Sequence, residues 1–146
     1  MTKKASSQIQ MTSTKQKKTS ESEVTISLTP CPASRPKVGR WGVFYGKTYA
    51  AWKSEADTLL RAIDFDLVEG PLAVEVEQVC KKPKTTKRDY PRGDVDNHAK
   101  GPLDAITRSH SGWHDDDQIV ELTVTKRFAE GDETPCSKIR WRPVAL

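Results

Sequence analysis

The chain has 146 residues, 30% of them charged, with 24 Lys and Arg against 20 Asp and Glu and a formal net charge of +4. That is enough chain for one domain, without an apolar run of the roughly 18 residues a membrane span needs and without the apolar core of a secretory signal. Three cysteines, Cys31, Cys80 and Cys136, are odd in number and too widely spaced for a Cys-x-x-Cys zinc pair, which argues against a disulfide framework and suits a reducing cytoplasm.

Residues 1–23 are Ser, Thr, Lys and Gln with little to bury, and are expected to form a disordered lysine-rich tail. The first 20 residues hold five lysines and no acid, leaving 19 basic against 20 acidic residues elsewhere. A case for nucleic-acid binding beyond the tail therefore has to rest on local patches. The folded domain is expected over 24–146. Val24, Ile26 and Leu28 alternate with polar residues as in a half-buried strand, which Pro30 and Pro32 end. Residues 35–47 are basic, aromatic and punctuated by glycine. Tyr49, Trp52, Ala56, Leu59, Leu60 and Ile63 recur at helical spacing and predict an amphipathic helix from Thr48 to Ile63. After the turn at Glu69-Gly70-Pro71, Leu72, Val74 and Val76 mark a second strand running into a basic loop, Lys81 to Arg88. A helix within Asn97 to Ser109 follows, then a strand in which Val120, Leu122 and Val124 face inward, then a last strand around Ile139 and Trp141. This order predicts an α+β fold, a mixed sheet with two main helices packed on it.

The stretch with most chemistry is Asp94-Val95-Asp96-Asn97-His98-Ala99-Lys100, followed by Asp104 and by Trp113-His114-Asp115-Asp116-Asp117-Gln118. If Asp94 to Asp96 is extended, its two carboxylates point to one side, and the start of the next strand can bring a third from the Asp115 to Asp117 triplet. Carboxylates so clustered repel unless a cation lies between them, and oxygen donors at this density suit Mg²⁺ or Mn²⁺ and phosphodiester hydrolysis. Lys100, one helical turn beyond Asp96, is placed to meet a phosphate. The plain alternative is a helix cap at Asp96 or Asn97 and a solvated aspartate loop. An EF-hand is excluded, since its Gly and terminal Glu are absent at their spacings.

At these residues the sequence resembles the RusA family of Holliday junction resolvases, found in bacteria and their phages. The family pattern is Asp-x-Asp-Asn-x-x-Lys, then Asp-Ala-(Leu or Ile) on a helix, then Trp-x-Asp-Asp-x-Gln-(Val or Ile) entering a strand. Asp94, Asp96, Asn97, Lys100, Asp104-Ala105-Ile106, Trp113, Asp115-Asp116, Gln118 and Ile119 supply it in order. Weaker agreement extends the likeness over most of 24–128, with the tail and the last 18 residues outside it. The resemblance implies an α+β homodimer that cuts four-way DNA junctions with Mg²⁺ in recombination and repair. It implies that Asp94, Asp96 and Asp116 are the metal-binding catalytic acids and Lys100 the catalytic lysine, with Asp115 and Asp117 as alternatives to Asp116. Asn97, Asp104 and Asp115 then take supporting positions, Asp104 either orienting Lys100 from one turn away or capping a short helix. Two departures stand out. Gly101-Pro102 interrupts the helix pattern, so the helix either starts late, with Pro102 in its first turn, or starts distorted. The loop from Arg108 to Gly112 is also about one residue longer than the family's.

The segment from Lys81 to Arg92 carries six basic residues and one acid. Lys81, Lys82, Lys84, Lys87 and Arg88, with Arg35, Lys37 and Arg40, are candidates for phosphate contacts, which position a protein without reading sequence. Trp41, Phe44 and Tyr45 are candidates for base stacking or for core and dimer packing. His110 and His114 lack a third ligand at zinc spacing and read as surface residues. Cys80 reads as a buried small residue. The reading is a Mg²⁺-dependent, structure-selective endodeoxyribonuclease acting on branched DNA, its twofold dimer matching the junction's symmetry. The alternatives are a non-catalytic branched-DNA-binding protein and a nuclease for flaps or forks.

Overall fold

Strand β5 (Leu72–Cys80) sets the plan of the molecule: Leu72, Val74, Val76, Gln78 and Cys80 are buried on one face, while Glu75 and Glu77 lie on the other. Such period-two alternation makes a sheet covered on one side and solvated on the opposite side. The computed structural model describes residues 9–14, 21–34, 37–40, 42–44 and 46–146. Its elements in chain order are β1 (Ile9–Thr14), β2 (Glu21–Ile26), β3 (Lys37–Gly39), β4 (Gly42–Phe44), α1 (Lys47–Arg61), β5, α2 (Val95–Ser109), a 3-10 turn (Asp116–Gln118), β6 (Ile119–Phe128) and β7 (Cys136–Pro143). The main sheet has the order β1-β2-β7-β5-β6, and β3-β4 form a separate hairpin. The pair β5 and β6 is parallel and the other pairs are antiparallel, so α2 is the crossover of a βαβ unit. The α+β mixed sheet is as expected.

Helices α1 and α2 pack on the apolar face. Trp52, Ala56 and Leu60 of α1 and Ala105 and Ile106 of α2 join Val24, Ile26, Val74, Val76, Ile139 and Trp141 in one core. Trp141 is its aromatic centre, meeting Phe65 edge-on at 5.4 Å and Trp113 at 5.6 Å. Gly101 is buried where the helices meet, and a Cβ there would lie 3.2 Å from Trp52, so its lack of a side chain permits that approach. The opposite face carries cross-strand charge: Arg140 of β7 bonds Glu23 on β2 and lies 3.5 Å from Glu75 on β5.

Several expectations change. Residues 9–14, inside the segment expected to be disordered, pair with β2 as an antiparallel edge strand, and β2 begins three residues before Val24. The alternation in β6 is as expected, but the inward burial holds only for Val124: on this edge strand Val120 and Leu122 are 52% and 45% exposed. Helix α2 starts neither late nor at Pro102. It runs unbroken from Val95 with Pro102 inside it. A proline there leaves the carbonyl of His98 without its helical donor, and the buried side chain of Gln78 takes that place, donating from Nε2 at 3.0 Å. No described helix is long and apolar enough to cross a membrane.

Candidate active site

The βαβ unit sends the chain from the end of β5 through residues 81–94 to the start of α2, and returns it from the end of α2 to the start of β6. Asp94 is the N-cap residue of α2, extended at φ −69° and ψ 144°, and its side chain makes no cap hydrogen bond. With Val95 already helical, the extended arrangement expected for Asp94 to Asp96 does not form, and neither Asp96 nor Asn97 is the cap. The carboxylates of Asp94 and Asp96 are both exposed at this end of the helix. Asn97 is half-buried, and its carbonyl accepts from the Ala33 N–H at 2.9 Å.

Asp96, Lys100, Asp104 and Thr107 follow one another along a single side of α2 at three- and four-residue steps. Lys100 is 59% exposed, with Nζ 3.9 Å from Asp104 Oδ2. Asp104 in turn contacts Asp116, which arrives from the turn before β6. Burial pushes the Asp104 carboxyl above the ordinary carboxylate range; Lys100 opposes that rise and the neighbouring Asp116 adds to it. Asp116 Oδ1 accepts from Thr107 Oγ1 and, at 3.4 Å, from the indole N–H of Trp113, which also donates to Thr107 Oγ1 at 2.7 Å. Two groups from α2 and one buried tryptophan thus fix the middle aspartate of the triplet. Asp115 is differently used: its side chain accepts from the Asp117 N–H at 3.1 Å and caps the turn, while Gln118 ties that turn to the carbonyls of Val68 and Gly70 at 2.9 Å each.

The structure therefore brings together Lys100, Asp104 and Asp116, and leaves Asp94 and Asp96 at the other end of the helix. Eight residues separate Asp96 from Asp104, about 12 Å of helix rise. Sequence reasoning missed Thr107, whose signal is its position three turns beyond Asp96 on the same face. It also missed the anchoring of the segment before Asp94. There Lys126 of β6 donates to the carbonyls of Pro91, at 2.8 Å, and Gly93, and His98 Nε2 donates to that of Arg92 at 2.7 Å. Burial lowers the pKa of His98, with Lys126 adding and the Arg92 carbonyl opposing, so the ring is neutral and its Nε2–H is the donor.

Lys81, Lys82, Lys84 and Lys87 are exposed on the loop after β5, as is Arg40 on the hairpin turn. Arg88 is half-buried, its guanidinium 4.7 Å from the Tyr90 ring. Arg35, Trp41 and Tyr45 lie outside the described residues, as do the side chains of Lys37 and Phe44. His110 and His114 are exposed, the latter paired with Glu69 at 2.5 Å. Cys80 is buried, with its thiol pushed up to about 11.

A comparison with protein families matches residues 27–135 to the model described as Endodeoxyribonuclease RusA. The chain belongs to the RusA endodeoxyribonuclease family. No curated protein matched the chain. The matched region holds both helices, β5, β6 and every acid of the candidate site, but stops before β7 and begins just after β2. RusA proteins are DNA-binding endonucleases of Holliday junction resolution and recombination, and are generally dependent on a divalent metal. Whether this chain's carboxylates fit such an ion is a question of convergence. Among the described residues no three His, Cys, Asp or Glu side chains come together closely enough to hold one. The contact of Asp104 with Asp116 is a two-carboxylate arrangement, so the trio Asp94, Asp96 and Asp116 does not form a ready-made cage.

Proposed function

We propose that this RusA-family chain is a Mg²⁺-requiring endodeoxyribonuclease that hydrolyses phosphodiesters at four-way DNA junctions, with Asp94, Asp96, Asp116 and Lys100 essential to cleavage. The observation that carries this reading is the line of exposed Asp96 and Lys100 and half-buried Asp104 along α2, closed at one end by Asp116 and flanked at the other by the basic loop after β5. The basic loop supplies sequence-independent hold on the backbone. The Lys100 ammonium, exposed and only loosely paired, is free to move to a phosphate oxygen and offset the charge that develops during cleavage.

A junction is cut symmetrically, so the working unit is a twofold dimer. The uncovered edge of β6, with Val120 and Leu122 exposed, is the surface that suits a second copy. The free cysteines are consistent with a cytoplasmic protein.

The test is a labelled synthetic four-way junction incubated with the protein in Mg²⁺ or in EDTA, beside flap and fork substrates. Junction cutting only with Mg²⁺, lost in Asp94→Asn and Asp116→Asn while binding survives, is the expected result. Metal-independent products, full activity of Asp94→Asn, or preferential cutting of flaps would refute it. Binding without any product would mark the chain as a branched-DNA-binding protein instead.

A further inference from the structure

A cavity of about 180 Å³ opens at the carboxyl ends of the paired parallel strands β5 and β6, bounded by Cys80 and Phe128 on one side and by Pro30 and Pro32 on another, and reaches the segment that delivers Asp94. Open sheets with βαβ crossovers bind ligands at that end of their strands. The cavity is lined by Pro83, Pro91 and Phe128, and by three cations, Lys81, Arg88 and Arg92, with no carboxylate among its lining residues. Its volume falls below the roughly 300 Å³ of pockets that take drug-sized ligands, which leaves room for a single ring system rather than a base pair. An aromatic ring and apolar proline faces beside cations are surroundings that a nucleobase with its phosphate finds favourable.

Resting on the nuclease reading above, we propose that this cavity receives one unstacked nucleotide of the DNA substrate, next to the phosphodiester that is cut. Its base packs against Phe128 and Pro83, and its phosphate lies against Arg88 and Arg92. Two observations favour DNA over a free nucleotide as occupant. The cations continue along the same loop as exposed Lys82, Lys84 and Lys87, a track longer than one phosphate needs. From the cavity-lining Pro91 and Arg92 the chain also passes through Gly93 directly to Asp94, so the wall of the cavity leads into that candidate catalytic acid. Gly93 makes that passage with φ +94°, where a Cβ would meet Pro32 at 2.6 Å.

The experiment measures binding of the full chain to a four-way junction in EDTA, so that cleavage does not intervene, with one abasic site stepped through the nucleotides around the crossover. At one position the abasic site should weaken wild-type binding about tenfold. Phe128→Leu should bind the intact junction about tenfold more weakly and be indifferent to that abasic site. Equal losses in wild type and variant, or no sensitive position, would overturn the proposal while leaving the nuclease reading intact. Absence of junction binding would overturn both. Competition by millimolar deoxynucleoside monophosphate without a sensitive abasic position would assign the cavity to free nucleotides instead. Thermal melts establish that Phe128→Leu folds, and Pro83→Ala, at an exposed loop position, carries the same test if it does not.

Discussion

The Gln78 side chain donates at 3.0 Å to the carbonyl of His98, the acceptor that Pro102 leaves without a helical partner. A buried carbonyl without a donor costs about 1–3 kcal/mol, which makes this bond the condition for a proline inside α2. Gln78→Leu is therefore expected to destabilise the fold by roughly that amount. In a Pro102→Ala background the backbone N–H of residue 102 returns, and the same substitution should cost about 1 kcal/mol less. Urea unfolding of the four proteins measures the coupling, and strict additivity would show that Gln78 does not stand in for the missing N–H.

Thr107→Val removes the hydroxyl that donates to Asp116 and accepts from Trp113. The indole N–H is left with Asp116 alone, so a stability loss of about 1 kcal/mol is expected. Junction cleavage should fall several-fold as Asp116 loses its fixed orientation, with binding retained. Thr107→Ser, which keeps the hydroxyl, should restore cleavage. Failure of Ser to rescue would mean that the methyl group rather than the hydrogen bond is what matters.

Lys100→Ala should lower the rate of junction cleavage by about 10² to 10³, the usual magnitude when one donor to developing charge is lost. Because Lys100 is exposed and paired with Asp104 at 3.9 Å, its removal should leave the melting temperature within a degree or two. Single-turnover rates at saturating protein separate this loss from weaker binding.

His98 is buried and neutral, its pKa lowered from 6.5. Below pH 6.5 the unfolded chain takes up a proton at this residue more readily than the folded one does. Stability should thus be fully present above pH 6.5 and decline as the pH falls from there towards the lowered folded value. Urea midpoints across this range check the slope, which His98→Gln should reduce.

Leu122→Glu places a charge on the exposed face of the β6 edge. Light scattering should report a dimer for the wild type and a monomer for the variant, with circular dichroism unchanged. A wild-type monomer at cleavage concentrations would remove β6 as the contact between copies.

The elements with strong periodicity are legible in the sequence. The stripe of Tyr49, Trp52, Ala56 and Leu60 placed α1 within two residues at each end, and the alternation of Leu72, Val74 and Val76 placed β5. The same reasoning overreached at β6, since alternation reports which residues share a face but not whether anything covers it. It went astray at Gly101-Pro102 because the remedy for the proline lies 24 residues upstream in Gln78, a long-range contact without local signature. Within the site, the helical spacing of Asp96, Lys100 and Asp104 was readable. The approach of Asp116 to Asp104 and Thr107 was not, because it depends on where the turn before β6 returns against α2.

Strand β7 lies in the middle of the sheet, between β2 and β5, although it follows both in sequence. Until residues 136–143 have been synthesised, β2 and β5 have no common neighbour and Trp141 is missing from the centre of the core. A chain still growing on the ribosome can form α1 and α2 locally, but it has to wait for β7 before the two halves of its sheet can join. Completion of the sheet is thereby deferred until β7 has emerged, and nascent chains halted before Cys136 should remain protease-sensitive between β2 and β5.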